Sequence, residues 1–211
     1  MTSFKLNIDL SSEDLHLLSQ VNYKIIVAKT FSGGQPNVAW QVFRPALRNT
    51  ISWEEEYGIY ASSTLLQNGA KLRKISETEI PAIAGKLYSL QENGIIENST
   101  GDGNAQVFTL LNHYPTPPGS MVTGLYQNAQ VNGIEIAGNA VSAMPVHFKN
   151  SIEMQPCPTV HLWISSWPES SCLTQPGTST VTQLSFEDNI NEITCYFDIR
   201  TSKFLLPRRW N

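Results

Sequence analysis

At 211 residues and 41% hydrophobic content, the chain is long enough to bury a substantial core, which excludes wholesale disorder. Charged residues make up only 15%, against roughly 25% in an average soluble domain, and Ser, Thr, Asn and Gln fill the deficit as they do in turn-rich β proteins. The net charge of −4 argues against a non-specific nucleic-acid binder, which needs a basic surface to displace counterions.

The chain opens without an apolar leader: Met1-Thr2-Ser3-Phe4-Lys5 runs into alternating residues. Three cysteines (Cys157, Cys172, Cys195) cannot complete a disulfide framework, so the expected setting is the cytoplasm, or release without a classical signal peptide. Phe4, Leu6, Ile8 and Leu10 alternate with polar residues as a half-buried strand. Ser11 then stands as a helix N-cap with Asp14 three residues on, and Leu15, Leu17, Leu18 and Val21 give the following helix an apolar face. Lys24–Thr30 is apolar and β-branched, turns at Ser32–Asn37, and predicts a hairpin with Val38–Phe43. Ile51-Ser52-Trp53 begins another strand, which runs through Glu54-Glu55-Glu56.

Two stretches then resemble each other. Tyr57-Gly58-Ile59-Tyr60 leads to an Asn68-Gly69 turn, and Thr123-Gly124-Leu125-Tyr126 leads to an Asn132-Gly133 turn. Glycine-to-turn spacings of 11 and 9 residues allow a degenerate duplication into halves 1–92 and 105–211, joined by loop 93–104, within a single domain 1–211. Between the copies, strands are predicted at 71–75, 85–90 and 107–111; Glu92–Ala105 and Tyr114–Gly119 are turn formers. Val160–Ile164 is a strand, and Val181–Phe186 and Ile193–Ile199 read as a pair before Phe204–Leu206. The expected fold is all-β: an antiparallel β-sandwich or flattened barrel of about a dozen strands with one short N-terminal helix.

The chemistry is sparse. No phosphate loop, zinc motif or nucleophile elbow occurs, so no catalytic residue, cofactor or metal is expected. Four scattered histidines share no metal-ligand spacing, and Asp102-Gly103-Asn104 lacks the remaining ligands of a calcium loop. The acidic run carries more. Along a strand, Trp53, Glu55 and Tyr57 share one face, and Glu54 and Glu56 the other. A carboxylate between aromatic rings suits a sugar, and two carboxylates also serve glycoside hydrolysis. Against this stands a solvated edge strand kept from aggregating by its charges. Trp163 and Trp167, where a strand runs into a Ser/Pro loop, are candidates for stacking on sugars or seating at a membrane interface.

The make-up as a whole (leaderless, acidic, rich in Trp and Asn, all-β, one amphipathic helix) is similar in architecture to small cytoplasmic defence lectins and sandwich-type cytolysins. That likeness implies a non-enzymatic recognition protein binding glycans or a lipid membrane surface, with a homo-oligomer compatible. The expected ligand-binding residues are Trp53, Glu55, Tyr57, Tyr60, Tyr126, Trp163 and Trp167. A pore former would need an inserting segment, and the 11 residues of Ser11–Val21 reach only about 16 Å as a helix, short of a bilayer. A protein-binding scaffold and a carboxylate-dependent glycoside hydrolase are the alternatives.

Overall fold

The computed structural model describes residues 2–99, 101, 103–115, 120–175, 180–187 and 189–207. Thr100, Asp102, Arg208-Arg209 and Trp210 lie outside these. The protein is an all-β sandwich whose sheets do not close into a barrel. Among the described residues there is one helix, Ser12–Gln20, and no helix is long and apolar enough to cross a membrane. The Ser11 hydroxyl accepts from the Asp14 amide at 3.0 Å and donates to its carboxylate at 2.8 Å, the N-cap expected from the spacing. Leu18 anchors the helix in the core.

In the largest sheet Lys203–Leu205, Glu192–Asp198, Ser3–Asp9 and Arg48–Glu54 are successive neighbours, and Arg48–Glu54 and then Gly58–Ser62, itself paired with Lys74–Glu77, line one side of Ser120–Val131. Ile134–Ala140 and Met144–His147 add to the other side of Ser120–Val131. A second sheet is built from Ser151–Met154, Phe108–Asn112, Leu87–Leu90 and Ile96–Ser99. A third contains Thr182–Ser185, Pro156–Ser165, Lys24–Phe31 and Gln41–Phe43. One hydrophobic cluster joins Leu6, Ile8 and Ile51 of the first sheet to Leu90 and Leu110 of the second and Ile25, Val27 and Leu162 of the third.

Pairing departs from the sequence reading in four places. Ser3–Asp9 runs parallel to Glu192–Asp198, and Leu87–Leu90 parallel to Phe108–Asn112, so the sandwich is not purely antiparallel. Thr182–Ser185 pairs with Pro156–Ser165 and not with Glu192–Asp198, which lies in the large sheet. Ile96–Ser99, inside the expected loop 93–104, is a strand paired with Leu87–Leu90. The Lys24–Phe31 hairpin forms with Gln41–Phe43, but Val38–Ala39 leaves it to pair with Cys172–Leu173.

The two similar stretches meet. Gly58–Ser62 and Ser120–Val131 are antiparallel neighbours, with Gly58 opposite Tyr126, Ile59 opposite Leu125, and Tyr60 opposite Gly124. Each glycine therefore faces the other copy's tyrosine. A Cβ on Gly58 would lie 2.2 Å from the Tyr126 ring, and one on Gly124 would lie 2.9 Å from the Tyr60 ring and 1.9 Å from the Ser142 carbonyl. The missing side chains are the seats of the rings, a cross-strand aromatic–glycine pairing used twice. The second copy also closes its hairpin as predicted: Asn132 (φ 51°) and Gly133 (φ 82°) form the left-handed pair of a two-residue turn.

Candidate functional site

The acidic run sits in a break in the large sheet. Arg48–Glu54 pairs with Ser120–Val131 through Ile51 and Ser52 opposite Val131 and Gln130; pairing resumes in Gly58–Ser62 with Gly58 opposite Tyr126. Both segments lie on the same side of Ser120–Val131, because Ile134–Ala140 occupies the other. Five residues, 53–57, thus face three, 127–129: Trp-Glu-Glu-Glu-Tyr is a bulge with two residues in excess. The strand on the far side bulges at the same level, where the register shifts between Gln127 and Ala129 and the Gly138 amide donates to Asn128 Oδ1 at 2.8 Å. Side chains replace the lost ladder: Gln127 Nε2 donates to the Glu54 carbonyl at 2.6 Å.

The bulge keeps the strand alternation and so has two faces. Trp53, Glu55 and Tyr57 point inward. Trp53 stacks on Phe4 (ring centroids 5.6 Å) and meets Trp40 and Phe186 edge-on at 5.5 and 5.2 Å. Lys29, buried, brings its ammonium within 4.8 Å of the Trp40 and Trp53 ring centroids and 5.3 Å of Tyr57. Its Nζ lies 3.6 Å from Glu55 Oε2 and donates to the Tyr57 hydroxyl at 3.2 Å, which donates in turn to Glu55 Oε1 at 2.5 Å. The carboxylate between two aromatics thus exists as predicted, but an internal cation holds it. Beside this cage a void of about 10 Å³ is lined by Glu55, Cys157, Pro158 and Phe186, among others, too small for more than one water.

Burial lowers the Lys29 pKa from 10.5 to about 8 against the opposing pull of Glu55, and burial with Glu55 raises Tyr57 well above 10. The unfolded chain therefore holds a proton on Lys29 between about pH 8 and 10.5 that the folded chain has released, so stability rises with pH across that window. Cys195, pushed by burial from 9 to about 12, has the opposite sign above pH 9. Wild-type stability is expected to gain about 1 kcal/mol from pH 8 to 9, and Lys29→Met to lose that rise. Urea midpoints at pH 7, 8 and 9 test this; an equal rise in both proteins would exclude Lys29 as its source.

Glu54 and Glu56 face the other way. They border an open cleft of about 420 Å³ whose lining includes Ser3, Ser52, Asn128, Gln130 and Glu135. Ile80, Ala129, Ile136, Ala137 and part of Trp53 give it apolar walls. Its cause is the paired bulge, which parts the strands on both sides of Asn128.

The seven residues expected to bind ligand do not form one surface. Trp53, Tyr57, Tyr60, Tyr126 and Trp163 are buried, with Trp53 only 5% exposed, so none offers a free ring face to a solvent-borne sugar. Tyr60 and Tyr126 occupy the glycine seats. The Tyr60 hydroxyl donates to the Ser142 carbonyl at 2.6 Å and the Tyr126 hydroxyl to the Thr78 carbonyl, with Lys74 Nζ 4.0 Å above the Tyr126 ring. Trp163 packs with Ile26, Ala28 and Ala39. Glu55 is half-buried at the mouth of the cage, and Trp167 alone is well exposed, at 47%.

The cleft's amides, Asn128 and Gln130, were missed, and so were Glu135 and the cation Lys29. The excess of residues between the two strands could have signalled the cleft, but only once the register was known. Among the described residues no group of three or more His, Cys, Asp or Glu is disposed to hold a metal ion. Comparison with protein-family models, curated proteins and solved structures found no match to this chain.

Proposed function

We propose that the protein is a recognition protein that binds a glycan without cleaving it, in the cleft on the outer face of the 53–57 bulge. The observation that carries this reading is the cleft's lining: carboxylates of Glu54, Glu56 and Glu135, amides of Asn128 and Gln130, and hydroxyls of Ser3 and Ser52, set beside the apolar Ile80 and Ile136. Carboxylates and amides accept and donate to sugar hydroxyls, and aliphatic walls cover the C–H face of a pyranose. Three carboxylates repel anionic sugars, so the expected ligands are neutral or amino sugars.

A glycan array followed by calorimetric titration tests the reading. Glu54→Gln with Gln130→Ala is expected to weaken binding about tenfold or more while the melting temperature stays close to wild type, since both side chains are exposed. No binding to neutral or amino sugars by folded protein would overturn the proposal. Release of free sugar would favour the hydrolase instead.

A further inference from the structure

Five exposed apolar side chains, Val21, Tyr23, Leu65, Leu66 and Trp167, lie on loops that the glycan cleft does not use. Three loops are tied together at the ends of Lys24–Phe31 and Pro156–Ser165. The turn at 21–23 is held by Lys24, which pairs with Ser165 across the ladder and donates from Nζ to the Pro168 carbonyl at 3.4 Å. Loop 63–73 is bonded to 166–174 by Gly69 N to Leu173 O (2.9 Å), Leu173 N to Ala70 O (2.9 Å) and Leu72 N to Ser171 O (3.0 Å). Gly69, left-handed at φ +85°, lies under the Trp167 ring, where a Cβ would come within 3.1 Å. Hydrogen bonds and the buried Leu72 and Leu173 thus fix the loops, which leaves Leu65 and Leu66 outside the core.

From this platform Leu65 (74% exposed), Leu66, Val21, Tyr23 and Trp167 project into solvent. Leucines at a loop tip flanked by Trp and Tyr give the amphipathic profile that seats at a bilayer's headgroup level. The charges beside them are Lys24, Lys71, Arg73 and Glu169, a local surplus of two cations on a chain of net charge −4. Lys71 and Glu169 pair at 2.9 Å and are both well exposed, so they are free to exchange partners.

We infer that this loop platform docks on an anionic lipid bilayer, with Leu65, Leu66 and Trp167 entering the interface and Lys24, Lys71 and Arg73 meeting the headgroups. The contact is peripheral: a few loop side chains and a small cationic surplus give reversible, salt-sensitive binding.

Flotation with vesicles of phosphatidylcholine alone and with about one-third phosphatidylserine tests it. The expected result is flotation with the anionic vesicles and little with the neutral ones, weakened about tenfold on raising salt from about 0.1 to 0.5 M. Leu65→Ser/Leu66→Ser and, separately, Lys71→Ala/Arg73→Ala are each expected to lose it with the circular dichroism unchanged. Absence of flotation, equal flotation on both vesicles, or retention by the leucine double variant overturns the inference. A concentration-dependent dimer abolished by Leu65→Ser/Leu66→Ser would assign the platform to a second copy of the chain and overturn it too. Glu54→Gln/Gln130→Ala protein should float like wild type, which separates this inference from the glycan reading.

Discussion

Gly124→Ala is expected to cost at least the roughly 3 kcal/mol at the top of the usual overpacking range, a large share of the about 5–15 kcal/mol that holds a domain folded. The new methyl would lie 1.9 Å from the Ser142 carbonyl oxygen, a backbone atom that no rotamer change moves aside. That carbonyl is itself fixed: it accepts from the Tyr60 hydroxyl at 2.6 Å, while the Ser142 hydroxyl accepts from the Leu125 amide at 3.0 Å. Gly58→Ala differs in kind. The atoms nearest its methyl all belong to the Tyr126 side chain, from 2.2 Å, and that side chain can swing out by giving up its bond to Thr78 and its contact with Lys74. The two substitutions at this seat, Gly58→Ala and Tyr126→Ala, should therefore be sub-additive by about 1–3 kcal/mol in a double-mutant cycle. Urea unfolding of the four proteins measures the coupling. Strict additivity would mean that the ring does not depend on the missing Cβ.

These glycines also mark how far the sequence could be read. Local signals held. The alternation of Phe4, Leu6 and Ile8, the Ser11–Asp14 cap and the Asn132-Gly133 turn each depend on neighbours a few residues away. Both Gly-x-Tyr motifs were visible, as was the shared face of Trp53, Glu55 and Tyr57. Their meaning was not, because it depends on register between distant segments. Only when Ile59 is known to sit opposite Leu125 does each glycine become the other tyrosine's seat. Only when Lys29 is known to come from the third sheet does Glu55 become an internal counter-ion. The mistaken pairing of 181–186 with 193–199 has the same root: short strands next to each other in sequence were assigned to each other, while the parallel partner of Glu192–Asp198 was the chain's first strand. The loop platform is half-legible: Trp167 stands beside a Ser/Pro loop in the sequence, but nothing local to Leu65 and Leu66 marks them as exposed.

Trp53 illustrates why the two faces of the bulge must be tested apart. Trp53→Ala is expected to lose about 3–5 kcal/mol, a large part of the stability of a domain this size. The indole fills the space among Phe4, Trp40 and Phe186 and forms one wall of the Lys29 cage. Truncation would leave a cavity in the core and strip one ring from a buried ammonium. Loss of sugar binding in that variant would therefore say nothing about a sugar contact. Glu54 and Glu56, on either side of Glu55 in the chain, carry the opposite expectation: they border the open cleft and take no part in the cage, so replacing both by Gln should leave the unfolding free energy from urea titration within about 0.5 kcal/mol of wild type. If Trp53→Ala proves as stable as wild type, the aromatic cage is not what joins the sheets at this point. If instead Glu54→Gln/Glu56→Gln unfolds the protein, the acidic run is structural on both faces, and the glycan reading loses the residues that support it.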